Sequence, residues 1–201
     1  MVKTHSERVL LNESCMNKIN EKYLELCNTP SDINEHLPTL KRYAEQCDHV
    51  TEFGVRNVVS SWALLAGQPK RMVSVDINEC PISELAYEAQ NSNIDFSFIQ
   101  ADTGSKNLNI EETDLLFIDT WHICGHLKKE LALHADKARK YIIFHDTTTF
   151  GYFPESAAPH LGEDYIKGLI PAIDEFLKNH PEWEILEKFE NNNGLTVLHR
   201  V

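Results

Sequence analysis

The sequence lacks a C-x-x-C pair, a long apolar run and a glycine-rich phosphate loop. Its five cysteines among 201 residues are scattered and never spaced C-x-x-C. That pattern argues against a zinc knuckle or a disulfide framework and favours a reducing compartment. No apolar stretch approaches the ~20 residues of a membrane span, and no charged-then-apolar leader is present. We therefore expect a cytoplasmic protein.

Positive charge is also scarce. The chain has 19 Lys and Arg against 31 Asp and Glu, which gives a formal net charge of -12. Such a charge repels polyanions, so neither a nucleic acid nor a membrane is expected as a partner. The composition instead favours a globular protein that acts on a small molecule, with a homodimer as an open alternative to a monomer.

The N-terminal segment differs in pattern from the rest of the chain. Apolar residues at helical spacing predict an amphipathic helix within residues 6–27. We assign residues 1–35 to this helix and a linker, and residues 36–201 to the main domain. Its first helix is predicted from about Pro38 to Gln46, because proline is tolerated only in a first turn.

The main domain alternates short apolar runs with helical patterns. The five runs are "HVTEF", "RMVSVD", "FSFIQAD", "DLLFID" and "YIIFHD". Strands that alternate with helices predict an α/β fold with a doubly wound, mostly parallel sheet. Near the C-terminus, "WEILEKFE" and "LTVLHR" flank the polar turn "NNNG", which predicts an antiparallel hairpin.

Acidic residues stand at the ends of all five apolar runs. They are Glu52, Asp76, Asp102, Asp119 and Asp146. Ligands bind at the carboxyl ends of the strands in open α/β sheets, so these side chains are expected to meet at one edge. Each acid on its own has an alternative explanation as the cap of the following helix. As a group they predict a ligand site.

The turn after the first strand carries a single glycine, Gly54, in "TEFGVRNVVSSWALL". A dinucleotide loop needs three spaced glycines, and a phosphate loop needs G-x-x-x-x-G-K-[ST]. A ligand without phosphate needs less, and S-adenosylmethionine presents an ammonium, a carboxylate, a ribose diol and an adenine amine. Asp76 is placed to accept the ribose hydroxyls, and Asp102 to lie near the adenine amine.

The same stretch resembles the first motif of the class I S-adenosylmethionine-dependent methyltransferases, from about residue 36 to the C-terminus. The resemblance is to the catechol O-methyltransferase-like branch and to small-molecule enzymes related to sugar O-methyltransferases. It implies a Rossmann-like sheet of seven strands with helices on both faces. It also implies methyl transfer from S-adenosylmethionine to a hydroxyl of a sugar, polyketide or phenol-like molecule.

The resemblance also implies a set of cofactor-binding residues: Glu52, Gly54, Val55, Arg56, Ser60, Asp76, Ile77, Asp102, Thr103 and Asp119. Glu52, Gly54 and Ser60 would surround the methionine part. Asp76 would hold the ribose, and Thr103 would line the adenine end with Asp102. The sequence departs from the motif at Val58, where many relatives have a second glycine, and at the bulky Arg56.

A second set of residues follows the fourth and fifth strands, in "DLLFIDTWHICGH" and "YIIFHDTTTF". By the resemblance, Asp119, Asp146 and Thr147 stand where catechol-type enzymes bind Mg²⁺. His122 stands where those enzymes place a lysine base, so the expected catalytic residues are His122, Asp119 and Asp146. A bound Mg²⁺ would lower the pKa of the acceptor hydroxyl. Without a metal, Asp119 would contact the cofactor ammonium and His122 would act alone.

The acceptor is expected to contact aromatic and histidine side chains near these strand ends: Trp121, His145, Phe150 and Tyr152. For His145, a buried strand-end position and a supporting contact stay open beside the substrate contact. His122 and His126 have the i, i+4 spacing of zinc ligands, but the glutamate of H-E-x-x-H is replaced by Ile123. A zinc hydrolase is therefore not favoured.

Two other classes of function stay open. One is an NAD-dependent oxidoreductase on a similar sheet, against which the missing glycines argue. The other is a degenerate methyltransferase-fold module that binds a partner without catalysis. Binding of adenosylmethionine, of NAD or of neither separates the three.

Overall fold

The computed structural model describes residues 18–201, and its first residues are helical (α1, residues 18–28). The predicted helix of residues 6–27 is therefore observed in its second half, and its first half lies outside the described residues. Ile19 of α1 is fully buried in the core, and Lys18 lies 3.5 Å from Glu88. The division of the chain after residue 35 stays a prediction.

Five further helices follow along the chain: α2 (Leu37–Ala44), α3 (Val59–Ala66), α4 (Ser83–Asn91), α5 (Cys124–His134) and α6 (Ile170–Asn179). The strands are β1 (His49–Phe53), β2 (Arg71–Asp76), β3 (Asp95–Gln100), β4 (Thr113–Ile118), β5 (Ala138–His145), β6 (Trp183–Phe189) and β7 (Leu195–Arg200). None of the helices within residues 18–201 combines the length and apolar character needed to cross a membrane.

The seven strands form one sheet in the order β3-β2-β1-β4-β5-β7-β6. Strands β1 to β5 pair in parallel, and β7 pairs antiparallel with both β5 and β6. This confirms the predicted doubly wound sheet with its C-terminal hairpin. The chain runs outward from β1 to one side and from β4 to the other, so a crevice opens between their carboxyl ends. Such a switch point is where open α/β sheets bind ligands.

Each face of the sheet has its own apolar core. Residues from α1 to α4 form one core with the sheet, and residues from α5 and α6 form the other. All six residues of β4 are buried, whereas β3 at the sheet edge is mostly half-exposed. A central strand that is covered on both faces needs apolar side chains on both, which is why "DLLFID" does not alternate between apolar and polar residues.

The structure corrects the start of the last helix. The spacing of apolar residues in "YIKGLIPAIDEFLKNH" predicts a helix over residues 165–180, but α6 begins only at Ile170. Pro171 lacks a backbone N–H and fits only in the first helical turn, so the helix cannot begin further upstream. The polar turn "NNNG" is observed as predicted, with Asn192, Asn193 and Gly194 at positive φ.

Candidate functional site

The site is built around the turn that follows β1. Gly54 has φ +85, and a Cβ at this position would collide with the backbone carbonyl of Asp119. The Gly54 N–H donates to Val75 O at 2.9 Å, and the Asp119 N–H donates to Phe53 O at 2.8 Å. Glycine is therefore required because the ends of β1 and β4 touch here.

Arg56 and Val58, the two departures from the family motif, both have positive φ angles. The angles are +45 and +65, in the left-handed region that a bulky or β-branched residue rarely enters. The Arg56 guanidinium pairs with Asp32 of the linker. The turn therefore holds two residues other than glycine in a conformation that favours glycine, at a cost in backbone strain.

Asp76 at the end of β2 holds this turn in place. Its Oδ2 accepts hydrogen bonds from the backbone N–H groups of Val55 (2.8 Å) and Arg56 (3.1 Å). Its Oδ1 accepts from the Asn78 N–H at 2.8 Å. Burial raises the pKa of Asp76, but these N–H donors outweigh burial and lower the pKa below its ordinary value. Asp76 is therefore an ionised acceptor beside the turn.

The larger cavity at this edge has a volume of about 470 Å³, within the ~300–1,000 Å³ typical of small-molecule sites. Its lining comprises Gly54, Arg56, Val75, Asp76, Ile77, Asn78, Ala101, Asp102, Thr103, Asp119, Thr120, Trp121, His126, Lys129, Leu161 and Tyr165. The structure thus brings together the residues that the resemblance assigned to the ribose and adenine. Their role in binding a cofactor stays a prediction.

The smaller cavity, of about 170 Å³, lies next to the larger one. It is lined by Asp32, Ile33, Gly54, Val55, Arg56, Asn57, Val59, Ser60, Asp119, Thr120, His122, Asp146 and Glu155. Both cavities share Gly54, Arg56, Asp119 and Thr120. A molecule that fills the larger cavity can therefore reach the smaller one past the carboxylate of Asp119.

Glu52 is not brought to either cavity. Its side chain is fully buried below the turn and accepts hydrogen bonds from the hydroxyls of Ser60, Ser61 and Ser74 at 2.6–2.8 Å. Burial raises the pKa of Glu52 to about 7, although the serine hydroxyls partly offset it. Of the residues expected around the methionine part, Gly54 and Ser60 line the smaller cavity and Glu52 supports Ser60 from below.

Two aspartates and two histidines form a compact cluster where β4 and β5 end. His122 Nε2 lies 3.1 Å from Asp119 Oδ1 and 2.9 Å from Asp146 Oδ2. His145 Nδ1 lies 3.3 Å and 3.2 Å from the same two oxygens. Asp146 has φ +61, an uncommon backbone conformation that aspartate tolerates. We call these four residues the Asp119 cluster.

The charges of the Asp119 cluster stabilise one another. Burial lowers the pKa of a histidine, but the two carboxylates outweigh it and raise the pKa of His122 and of His145 to about 10. Burial likewise raises the pKa of the aspartates, but the histidines outweigh it and hold the pKa of Asp119 and Asp146 below the ordinary value. With only protons present, the cluster therefore holds two cations and two anions.

The cluster also fits a divalent ion, with the predicted Asp119 and Asp146 but with His145 in place of Thr147. Donor atoms of Asp119, His145 and Asp146 all lie within 4.8 Å of one another. Asp146 is 5% exposed, and its Oδ1 has no hydrogen-bond partner among the described residues. Thr147, in contrast, accepts a hydrogen bond from Thr196 of β7 at 2.9 Å. The structure thus favours His145 over Thr147 as the third donor.

The residues expected to contact the acceptor lie in different places. Phe150 stacks on His122, with ring centroids 5.0 Å apart and an interplanar angle of 6°. Trp121 lines the larger cavity instead, and its Nε1–H donates to Ser156 at 3.1 Å. His145 is 1% exposed and belongs to the Asp119 cluster, while Tyr152 is 70% exposed and lines neither cavity. None of the four lines the smaller cavity, and Phe150 approaches it only through the His122 ring on which it stacks, so their contact with the acceptor stays a prediction.

Several residues of the site were not anticipated from the sequence. Glu155 Oε2 lies 3.3 Å from His122 Nδ1. Fully buried Glu130 accepts hydrogen bonds from Thr103 (2.5 Å) and Thr120 (2.9 Å) below the larger cavity, and lies 3.3 Å from His126 Nε2. The i, i+4 spacing of His126 and Glu130 was a usable signal. A glutamate within a long loop, such as Glu155, gives none.

Comparison with known proteins identifies the fold. No family model matches the chain, and no curated protein matches it in sequence. An O-methyltransferase from Bacillus cereus in complex with SAH matches with a TM-score of 0.56 and 15% identity, over 94% of this chain and 91% of that one. The SAH-bound methyltransferase PaMTH1 of Podospora anserina matches with a TM-score of 0.56 and 16% identity, over 100% and 98%.

A third similar structure is the MycE methyltransferase of the mycinamycin biosynthetic pathway, in complex with Mg, SAH and mycinamycin VI. Its TM-score is 0.58 with 15% identity, over 92% of this chain and 54% of that one. At such identities the likeness establishes the fold alone. The chain has the fold of these methyltransferases, which confirms the fold that the resemblance implied.

Proposed function

We propose that the protein transfers the methyl group of S-adenosylmethionine to a hydroxyl of a small molecule. The observation that carries this proposal is the pair of adjoining cavities with Asp119 in their shared wall. One cavity suits a cofactor and the other an acceptor, and the Asp119 cluster lies where the two ligands would meet. A transfer reaction needs this arrangement, because two bound molecules must present their reacting atoms to each other.

The larger cavity is the proposed site of the adenosine. Ionised Asp76 is an acceptor for the ribose hydroxyls through Oδ1, which accepts one backbone N–H, whereas Oδ2 already accepts two. Exposed Ile77 and the Trp121 ring offer apolar surface to the adenine, with Asp102 and Thr103 at the same end. The methionine part would extend past Gly54 towards Ser60. Neither the adenosine nor the methionine part carries a phosphate, so the site needs no phosphate-binding loop.

The smaller cavity is the proposed site of the acceptor hydroxyl. His122 borders it, and a positioned histidine in its neutral form accepts the proton that the hydroxyl loses. Glu155 Oε2 lies 3.3 Å from the other ring nitrogen, as a charged neighbour that makes no hydrogen bond to it. Asp119 and Asp146 would hold a divalent ion, whose positive charge would lower the pKa of the acceptor hydroxyl.

Two similar structures support this proposal by what they contain. The Bacillus cereus O-methyltransferase is in complex with SAH, and MycE is in complex with Mg, SAH and mycinamycin VI. For this chain we propose a cytoplasmic enzyme, since its cysteines are odd in number and scattered, and the four in the described residues are free. Assembly as a homodimer stays a prediction.

The decisive experiment measures cofactor binding without knowledge of the acceptor. Protein purified from cells is denatured and analysed by mass spectrometry for adenosylmethionine and adenosylhomocysteine. Calorimetric titrations with adenosylhomocysteine and with NAD follow on the same preparation. We expect stoichiometric binding of adenosylhomocysteine and none of NAD. Binding of NAD alone would favour the oxidoreductase, and a folded protein that binds neither would favour the non-catalytic module.

A further inference from the structure

Two of the three distances among the donor atoms of Asp119, His145 and Asp146 match the spacing of ligands on one ion, and the third is within 4.8 Å. His145 Nδ1 lies 3.3 Å from Asp119 Oδ1 and 3.2 Å from Asp146 Oδ2. Ligands that sit ~2.0–2.2 Å from a metal ion in tetrahedral or octahedral geometry are separated by roughly 3.0–3.6 Å along each edge. The distances from His145 Nδ1 to the two carboxylate oxygens therefore suit ligands of one ion without a rearrangement of the backbone.

The surroundings of His145 select the ring nitrogen that faces the carboxylates. Its Nε2 lies 3.2 Å from the backbone carbonyl oxygen of Asn192, a group that can only accept. Nε2 therefore carries a proton, and in the neutral ring Nδ1 offers its lone pair to the cluster. A second nitrogen that donates to a backbone carbonyl is the usual arrangement of a metal-binding histidine.

The Asn192 carbonyl is itself held firmly in place. The Asn192 side chain accepts a hydrogen bond from the Glu35 N–H at 3.0 Å and donates to the Ser31 carbonyl at 2.9 Å. The β6–β7 turn is thereby tied to the linker before α2. Positioning of His145 is thus built into the fold, as the positioning of a ligand should be.

One hydrogen bond argues against an all-oxygen site. Thr147, which stands where the catechol-type resemblance expects an amide oxygen ligand, is hydrogen-bonded to Thr196. Asp146 Oδ1, a buried oxygen without a hydrogen-bond partner among the described residues, is available to an ion of either kind. Mg²⁺ prefers oxygen ligands, whereas the imidazole of His145 suits first-row transition metals such as Fe²⁺ and Zn²⁺.

We propose that Asp119, His145 and Asp146 bind one divalent first-row transition metal ion, of the class of Mn²⁺, Fe²⁺ or Zn²⁺, in preference to Mg²⁺. His122 then stays a neighbour of the ion and keeps its place beside the smaller cavity. The consequence for catalysis rests on the proposed function. Binding of the ion does not, and it is measured without cofactor or acceptor.

The first test compares ions on the wild-type chain. Metal-free protein is titrated with Mn²⁺, and the signal of free Mn²⁺ is followed by electron paramagnetic resonance. Zn²⁺ is titrated separately against a chromophoric chelator. We expect one ion per chain, with less than half of the bound Mn²⁺ displaced by a 100-fold excess of Mg²⁺. Displacement by an equal concentration of Mg²⁺, or no binding of Mn²⁺ and Zn²⁺, overturns the proposal.

The second test changes the chemistry of the donor. His145→Glu offers an oxygen in place of the nitrogen and should reduce the preference for Zn²⁺ over Mg²⁺ at least tenfold, whereas His145→Gln should weaken binding of both Mn²⁺ and Zn²⁺. His199→Gln is the matched control, because His199 pairs with Glu184 on the hairpin, 2.8 Å away, and lies outside the cluster. Unchanged metal preference in a folded His145→Glu protein overturns the assignment of His145.

A third measurement separates this proposal from the proposed function. Adenosylhomocysteine is titrated into the chelator-treated protein by calorimetry. If adenosylhomocysteine binds but no ion does, the metal assignment fails alone. If the ion binds but adenosylhomocysteine does not, the metal assignment stands and the proposed function fails.

Discussion

Two carboxylates on neighbouring strands of this protein lie in surroundings that drive their pKa values in opposite directions. Glu52 on β1 is fully buried among three serine hydroxyls, and its pKa rises to about 7. Asp119 follows β4 and has two histidines as partners, and its pKa falls below the ordinary value. Hydroxyl donors compensate only a small part of the free-energy cost of burying a carboxylate charge, whereas neighbouring imidazolium groups compensate most of it.

The two carboxylates therefore have different expected roles at this edge of the sheet. Glu52 supports the structure, and Asp119 lies where the proposed reaction takes place. Glu52 holds Ser60 and Ser61 of α3 against β1 from below the turn, and neither cavity reaches it. Asp119 lies above the same turn and lines both cavities. A change at the Asp119 cluster should therefore affect turnover, and a change at Glu52 should affect stability. The predictions below test this contrast, beginning with the largest expected effect.

The largest effect is expected at His122. His122→Ala should reduce turnover by roughly 10²–10⁴, the usual contribution of a positioned acid–base group, while adenosylhomocysteine affinity changes little. A base must be neutral, and the carboxylates raise the pKa of His122 to about 10. The wild-type rate in chelator should therefore rise with pH through the alkaline range. The measurement is a pH–rate profile with an identified acceptor.

A lysine variant sharpens the test at this position. His122→Lys restores the residue of the catechol-type enzymes and should recover part of the lost turnover, with a profile set by the pKa of the lysine. Near-native turnover of the alanine variant, with unchanged pH dependence, would show that His122 is not the base.

The second prediction concerns Glu52 and stability. Below pH ~4.5 this carboxyl is protonated in both the folded and the unfolded chain, and it causes no penalty. As pH rises towards about 7, the unfolded chain ionises first, so the free energy of unfolding falls. Relative to wild type, Glu52→Gln should thus gain on the order of 3 kcal/mol between pH 4.5 and pH 8.

Urea denaturation of both proteins across this pH range measures the difference. Glu184→Gln is a suitable control, because Glu184 is a largely exposed carboxylate on β6 and should leave the wild-type pH dependence unchanged. If the difference in free energy of unfolding between wild type and Glu52→Gln stayed constant across this pH range, the raised pKa of Glu52 would be contradicted.

Replacement of Asp76 should affect both cofactor binding and stability, since Asp76 lines the larger cavity and also holds the turn. Asp76→Ala should weaken adenosylmethionine binding by about 1.5–3 kcal/mol, the scale of hydrogen bonds to a charged group. It should also destabilise the fold, because the Val55 and Arg56 N–H groups lose their acceptor. Asp76→Asn keeps one acceptor oxygen and should preserve more stability than affinity. Unchanged calorimetric affinity in a folded alanine variant would refute the ribose assignment.

Much of this architecture could be predicted from the sequence because its signals are local. Apolar runs at the strands, the single Gly54 and the acids at the strand ends each act within a few residues. The contacts that decide roles are not local. The link between Asn192 and His145 spans 47 positions, and its acceptor is a backbone carbonyl that no residue type marks.

The same limit applies to single residues. Thr147 was assigned as a ligand by its position after Asp146, but its hydroxyl turned out to face Thr196 on a strand formed 49 residues later. Glu52 and Asp119 also look alike in sequence, each an acid at the end of an apolar run. Their difference comes from partners on other elements, namely Ser74 of β2 for Glu52 and His145 of β5 for Asp119.

The smallest effect is expected at the turn between the two carboxylates. Arg56 has φ +45, which costs an L-residue roughly 1–2 kcal/mol relative to glycine. Its ion pair with Asp32 joins side chains that are 69% and 38% exposed and should contribute little. Arg56→Gly and Arg56→Ala both lose this pair, but only glycine relieves the strain. The glycine variant should therefore be more stable than the alanine variant by about 1 kcal/mol.

Gln68, another residue at positive φ (+59) and outside both cavities, provides the matched control. Gln68→Gly and Gln68→Ala should differ in thermal stability by a similar amount, because the cause is the backbone conformation alone. If the alanine variant at position 56 is as stable as the glycine variant while the pair at position 68 differs, the turn relaxes once the arginine is removed. The N–H groups held by Asp76 would then not fix its path, and the shape of the cofactor turn would depend on the Arg56 side chain.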